Sequence, residues 1–168
     1  MRYFTLLFIG CAVFLTGCDS QGLNPNDVSD PGIGGTISYI STIPPSDSLL
    51  DLRVVAVPYF PVDTLPQALI GKVVEGIIPF SGDIRATAIS GTTASYELYL
   101  RPQTYYYIAV VQQYGTDVFS QWKVVSVYGY TPSTPNPLSV SVLDEHFTTG
   151  INFTVDFYNV PPQPFKVP

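Results

Sequence analysis

Sixteen prolines and thirteen glycines are spread along the 168 residues, so apolar segments repeatedly meet a residue that a long helix does not tolerate. Proline removes a backbone donor and glycine loosens the chain, and together they leave short extended segments as the natural elements. Those segments are rich in Val, Ile, Tyr and Phe, the types that fit a pleated, half-buried surface. Several alternate. Tyr96, Leu98 and Leu100 share one face while Ser95, Glu97 and Arg101 share the other. Ile151, Phe153, Val155 and Phe157 alternate with Asn152, Thr154, Asp156 and Tyr158, the pattern of a half-buried antiparallel strand. The run Tyr105 to Val111 is apolar on both faces and reads as a central strand. A sustained 3.6-residue period is missing, and Leu65 to Ile70 allows one helical turn at most. The spacing predicts strands at 35–41, 51–60, 69–78, 84–89, 94–101, 104–114, 121–130, 137–143 and 150–158. The expected fold is all-β: one antiparallel two-sheet β-sandwich over residues 35–158.

Hydrophobic residues make up 46% of the chain and charged residues 12%, too apolar a mixture for a disordered protein. The net charge is −6. Removal of residues 1–17 would take Arg2 away, leaving six Lys and Arg against thirteen Asp and Glu, or −7. Phosphate binding needs clustered Lys and Arg, so nucleic acid is excluded as a partner. Electrostatic adhesion to anionic lipid is disfavoured for the same reason. A membrane attachment would have to be covalent.

The first eighteen residues supply one. Arg2 and the initiator amine precede an almost uncharged apolar run from Tyr3 to Leu15, and Asp19, Ser20 and Gln21 follow directly after Cys18. Thirteen residues fall short of the roughly 20 that a spanning helix needs, so the segment reads as a secretion signal. Leu15-Thr16-Gly17-Cys18 resembles the lipobox of bacterial lipoproteins. The resemblance implies cleavage between Gly17 and Cys18, a diacylglyceryl group on the Cys18 thiol and acylation of the new amine. Two or three acyl chains make such an anchor stable. Of the two cysteines, Cys11 lies in the discarded segment, so the mature chain would keep only the acylated thiol and depend on its core rather than on disulfides. Asp19 resembles an inner-membrane retention residue of enterobacterial lipoproteins, a rule that does not extend to all bacteria. The choice between inner and outer membrane stays open.

Residues 18–34 read as the lipidated cysteine and a flexible tether, with turn chemistry at Asn24-Pro25-Asn26-Asp27 and Asp30-Pro31-Gly32. Residues 159–168 form a Pro-rich C-terminal tail. Between them the order of pieces resembles the transthyretin-like, or carboxypeptidase regulatory-like, β-sandwich (prealbumin-like) family. An opening Gly35-Thr36-Ile37 is followed by Leu52 to Val57. Next come a strand, a proline turn and a tyrosine in Tyr96 to Tyr105, and an alternating last strand from Ile151 to Phe157. Gln103-Thr104 replaces the family's usual glycine, and the stretches 61–93 and 122–137 are longer than its usual connections.

Chemistry-bearing residues are sparse. His146 is the only histidine and sits in Leu143-Asp144-Glu145-His146-Phe147, which reads as a polar turn between two strands. One histidine without a free cysteine suggests no metal site, and no cofactor motif is present. No serine lies in a Gly-x-Ser-x-Gly elbow. The unusual feature is aromatic. Tyr105, Tyr106, Tyr107, Trp122, Tyr128 and Tyr130 either fill the core or form a binding surface for an envelope protein or a glycan. The expectation is a non-enzymatic, membrane-anchored binding or scaffold module at the bacterial cell envelope. The alternative is an envelope hydrolase or metal-dependent enzyme.

Overall fold

A computed structural model describes residues 29–63 and 65–164. The signal segment, Gly17, Cys18 and most of the expected tether lie outside the described residues, as do the last residues of the C-terminal tail. The regular structure of the described chain is mostly strand, arranged in several largely antiparallel sheets with little helix.

In the first sheet β1 (Gly32–Tyr39) pairs antiparallel with β3 (Thr93–Tyr99), from Gly32 opposite Tyr99 to Ser38 opposite Thr93. Its other side carries two short strands, β8 (Phe147–Thr148) and β9 (Phe153–Val155), both parallel to β1. The second sheet has the order β2 (Asp51–Val57), β5 (Tyr107–Gln113), β6 (Trp122–Val127), all antiparallel. A third pair joins β4 (Gln103–Tyr105) to β7 (Val140–Val142).

The main core gathers Ile33, Ile37 and Tyr39 of β1, Leu52, Val54 and Ala56 of β2, Ile108 and Val110 of β5, and Phe153 and Val155 of β9. Burial of each large apolar side chain among them stabilises by roughly 1.5–3 kcal/mol. Tyr96 enters the same core and donates its hydroxyl hydrogen to the Ile151 carbonyl at 2.8 Å. β1 opens on glycines because it is crowded there. A Cβ on Gly32 would lie 2.7 Å from the Leu98 carbonyl oxygen and 2.8 Å from the Phe147 ring, and one on Gly35 would collide with the Ile151 carbonyl.

β5 is central, as its apolar character on both faces requires, and its outward residues belong to a second core. That core holds Val57, Val62, Ile78, Tyr107, Ala109, Val124 and Val127, with Leu69 and Val73 packed against it. Leu69 and Val73 come from α1 (Pro66–Val74), which corrects the expected strand at 69–78 and exceeds the single turn allowed to 65–70. The cause is legible locally. Pro66 stands at the first helical turn, where its missing N–H is no loss. Pro66, Leu69, Ile70 and Val73 fall at i, i+3, i+4 and i+7, one apolar face. Gly76, at φ 73°, ends the helix by donating to Val73 O while Ile77 N donates to Lys72 O, the paired bonds of a Schellman stop.

Four other expectations are corrected. Residues 84–89 hold a 3₁₀ turn at Arg85–Thr87, because the Asp83 carboxylate accepts both the backbone N–H and the guanidinium of Arg85. The span 104–114 breaks at Tyr106, whose N–H bonds Val57 O. The last strand pairs parallel, not antiparallel, with β1. Gly32 to Gly34, read as tether, are the first residues of β1.

Both edges of the second sheet are covered without a further strand. Along β2, Ala56 N donates to Pro79 O, Ser81 N to Val54 O and Ile84 N to Leu52 O. Along β6, the Gln163 side-chain amide accepts from Val124 N at 2.7 Å and donates to Val124 O at 2.9 Å, so one side chain occupies the place of a strand. Such covers keep an edge from templating another chain. They also bring Phe80 and Pro164 to the outer face of the sheet.

Candidate ligand pocket

Between that outer face and α1 lies a cavity of about 370 Å³. Its floor is built by the outward residues of β2 (Asp51, Arg53, Val55, Val57), β5 (Tyr107, Val111, Gln113) and β6 (Trp122, Val124). Val62, Ile78 and the α1 residues Pro66, Leu69, Ile70 and Val73 form its roof, and Phe80, Val118 and Pro164 its rim. The surface is almost wholly apolar because the strands alternate. Leu52, Val54 and Ala56 go into the main core, which sends Arg53, Val55 and Val57 the other way.

A clamp holds the roof. Lys72 of α1 lies 2.6 Å from the Asp63 carboxylate, which also accepts the Tyr59 hydroxyl at 2.8 Å, and the ammonium sits 4.3 Å from the centre of the Tyr59 ring. The Lys72 hydrogen bond, with that from Tyr59, holds the Asp63 carboxyl below its ordinary range, and the same contacts raise Lys72. Phe60 stacks on Tyr107 with ring centres 6.0 Å apart.

The polar groups of the lining sit at its two ends. At one end Arg53 Nε is 2.8 Å from Asp51 Oδ2, and an Arg53 Nη donates to Ser81 O at 3.2 Å. The guanidinium lies 5.0 Å from the centre of the Phe80 ring. Trp122 Nε1 donates to Val118 O and Gln113 Nε2 to Gly115 O, so the indole N–H and one of the two Gln113 amide hydrogens are engaged within the protein. At the other end stands Tyr107, whose hydroxyl is itself buried and is raised well above its ordinary range by that burial.

The aromatic residues singled out from the sequence do not share one surface. Tyr105 is in the main core, and Tyr128 packs against it. Tyr107 belongs to the second core, Tyr130 packs against it, and Tyr106 is exposed. Tyr107 and Trp122 alone among the six line the cavity. His146 is exposed beside the Asp144–Glu145 turn, in which Glu145 has φ 54°. Among the described residues no group of three or more His, Cys, Asp or Glu converges as a metal site would require. The pocket itself escaped the sequence reading because its roof did. The i, i+3, i+4, i+7 pattern at 66–73 was the available signal.

No family model, curated protein or solved structure matches the chain.

Proposed function

We propose that this protein is a lipid-anchored, non-catalytic binding module of the bacterial cell envelope, whose pocket beneath α1 takes a small apolar molecule. Its β domain is read as a two-sheet sandwich of the transthyretin-like kind. The observation that carries the proposal is the cavity. Its volume of about 370 Å³ falls within the roughly 300–1,000 Å³ of small-molecule sites, and its floor and roof are apolar with a few polar groups at the ends. A cavity of this size against well-packed sheets on one side is unlike the small voids of an ordinary interior. The anchor rests on Leu15 to Cys18, which would hold the pocket near a membrane, where apolar molecules are concentrated.

The binding test uses the single tryptophan, Trp122, which lines the pocket. A bromoalkane quenches an indole only on contact. 1-Bromododecane should quench Trp122, and Val55→Phe, which fills the floor, should abolish the quenching. Equal quenching in both proteins would refute the pocket as the site. The anchor is tested by metabolic labelling with a clickable fatty acid, which Cys18→Ser should lose; undiminished labelling would refute it.

A further inference from the structure

We infer that the mouth of the pocket docks on a bilayer of neutral phospholipid, with Val118 and Phe119 at the tip of the β5–β6 turn entering the acyl region. This rests on the Cys18 anchor and adds the face that the domain turns to the membrane. The turn runs from Tyr114 to Gln121, and its tip carries Val118, 47% exposed, and Phe119, 57% exposed. Turns are ordinarily made of Gly, Pro, Asn, Asp and Ser. Val118 and the exposed Phe80 both line the pocket, Phe80 opposite Val55 at the β2 edge and Val118 beyond the end of β5 and β6. Single exposed apolar residues are ordinary, but several around one apolar opening mark an interaction site.

The tip is built to leave water. Asp117 N donates to Gln121 Oε1 at 2.8 Å, Phe119 N to Asp117 Oδ1 at 2.9 Å and Gln121 N to Asp117 O at 3.0 Å. The Asp117 carboxylate also accepts the Ser120 hydroxyl, and Val118 O accepts the Trp122 indole N–H at 2.9 Å. Donors already paired lose little on entering an apolar medium, whereas unpaired ones would oppose insertion. Just inside the turn, Asp51 faces Gln113 and Gln113 faces Trp122 across the sheet. Asp51 is paired there with Arg53 at 2.8 Å, so this end presents no uncompensated cation to anionic lipid. The ion pair and Gln113 suit the wet headgroup layer, and Val118 and Phe119 reach past it. The exposed Asp117 carboxylate limits the depth to those two side chains.

A bilayer fits this mouth better than a protein does. The rim is a few side chains around a hollow, far short of the roughly 20–30 residues a side of a stable protein interface. A rigid partner would leave the hollow empty, and fluid acyl chains fill it. Nor does the rim have to hold the protein. Ser29 is fixed by its bonds with Glu145 O and Phe147 N, and Cys18 precedes it by eleven residues (29 less 18), a reach of at most about 40 Å. That is comparable with the width of a domain of this size, so every face stays close to lipid and a small preference decides which one rests on it. A mouth that opens on acyl chains draws its apolar ligand from the bilayer rather than from water.

The test moves the single tryptophan. In the lipidated full chain, Trp122→Phe with Phe119→Trp places it at the tip, outside the pocket lining. Trp122→Phe with Tyr106→Trp places it at another exposed site, at the far end of β5 and about 20 Å from Gln113. Both proteins are reconstituted in phosphatidylcholine vesicles with and without acyl-chain-brominated phosphatidylcholine, and circular dichroism checks the fold. The tip tryptophan should lose most of its emission to the brominated lipid, at low and high salt alike, and the Tyr106→Trp protein should lose little. Adding Val118→Ser to the tip protein should restore much of the emission. Equal quenching at the two sites, no quenching at the tip, or quenching that needs anionic lipid and vanishes with salt would overturn the docking. Docking and pocket fail separately. A dry tip, with wild-type Trp122 still quenched by 1-bromododecane and protected by Val55→Phe, strikes the docking alone. A quenched tip with equal 1-bromododecane quenching in wild type and Val55→Phe strikes the pocket alone.

Discussion

Two neighbouring valines of β2 should respond very differently to the same truncation. Val54 is fully buried in the main core, and Val55 is partly exposed and lines the pocket floor. Val54→Ala removes two buried carbon groups, worth about 0.8 kcal/mol each in transfer, and leaves a void of roughly 50 Å³ that adds about 1.2 kcal/mol at 24 cal/mol per Å³. The total is about 3 kcal/mol. Val55→Ala removes the same atoms from a wall that already faces open space. No closed void is created and the transfer loss is partial, so the cost is about 0.5–1 kcal/mol. The loss of strand preference on going from Val to Ala is common to both and cancels in the difference. Urea unfolding followed by circular dichroism should therefore separate the midpoints by an amount equivalent to about 2 kcal/mol at unchanged slope. Equal losses would mean that α1 closes onto the sheet in solution, and the argument for a pocket would fail.

Gly35→Ala should destabilise by about 1–3 kcal/mol, because its Cβ would meet the backbone of Ile151 rather than a side chain that can swing away. Gly82→Ala, with nothing within 4 Å of the added carbon, should change thermal stability by no more than about 0.5 kcal/mol, and a similar loss in both would refute the crowding. The α1 clamp carries a pH signature. Asp63 is lowered from 3.8 in the fold, so its stabilisation is complete above that pH and is lost as pH falls through the lower folded value. Lys72 is raised from 10.5, so its share is complete below that pH and is lost as pH rises through the higher folded value. Carbon-13 titration of the two side chains should place their midpoints outside the window from 3.8 to 10.5, and an Asp63 midpoint at or above 3.8 would break the clamp.

Much of the strand content was legible because alternation is a direct record of two faces. Tyr96, Leu98 and Leu100 are buried and Glu97 and Tyr99 exposed, as the pattern of 94–101 requires. Ile151, Phe153, Val155 and Phe157 behave alike. What alternation does not record is the partner. β9 runs parallel to β1, a register set by long-range contacts such as Tyr96 to Ile151 rather than by its own residues. The helix was hidden for a different reason. Val73-Val74 and Ile77-Ile78 carry sheet propensity, and Gly71 sits inside α1 at a cost of about 1 kcal/mol, so local preference pointed away from the tertiary answer. Burial of the Pro66–Leu69–Ile70–Val73 face over an apolar sheet outweighs it. The aromatic run was misleading as a unit. Consecutive residues alternate sides, so Tyr105 and Tyr107 could share a face only in an unbroken strand, and the break at Tyr106 sends them to different cores.

The existence of a pocket, rather than a third packed layer, follows from a mismatch of lengths. A strand that is apolar on both faces obliges something to cover its outer side, and in this chain the cover is α1. Nine helical residues span about 14 Å at 1.5 Å per residue, whatever direction the helix takes across the sheet. The floor from Asp51 to Val57 runs about 20 Å. The helix therefore cannot seal both ends. At the Tyr107 end the floor residues Val57 and Tyr107 are buried beneath Val62 and Ile78. At the other end the floor changes from valine to Arg53, Asp51 and Gln113, residues that tolerate water. The polar mouth and the short roof are two expressions of one geometry.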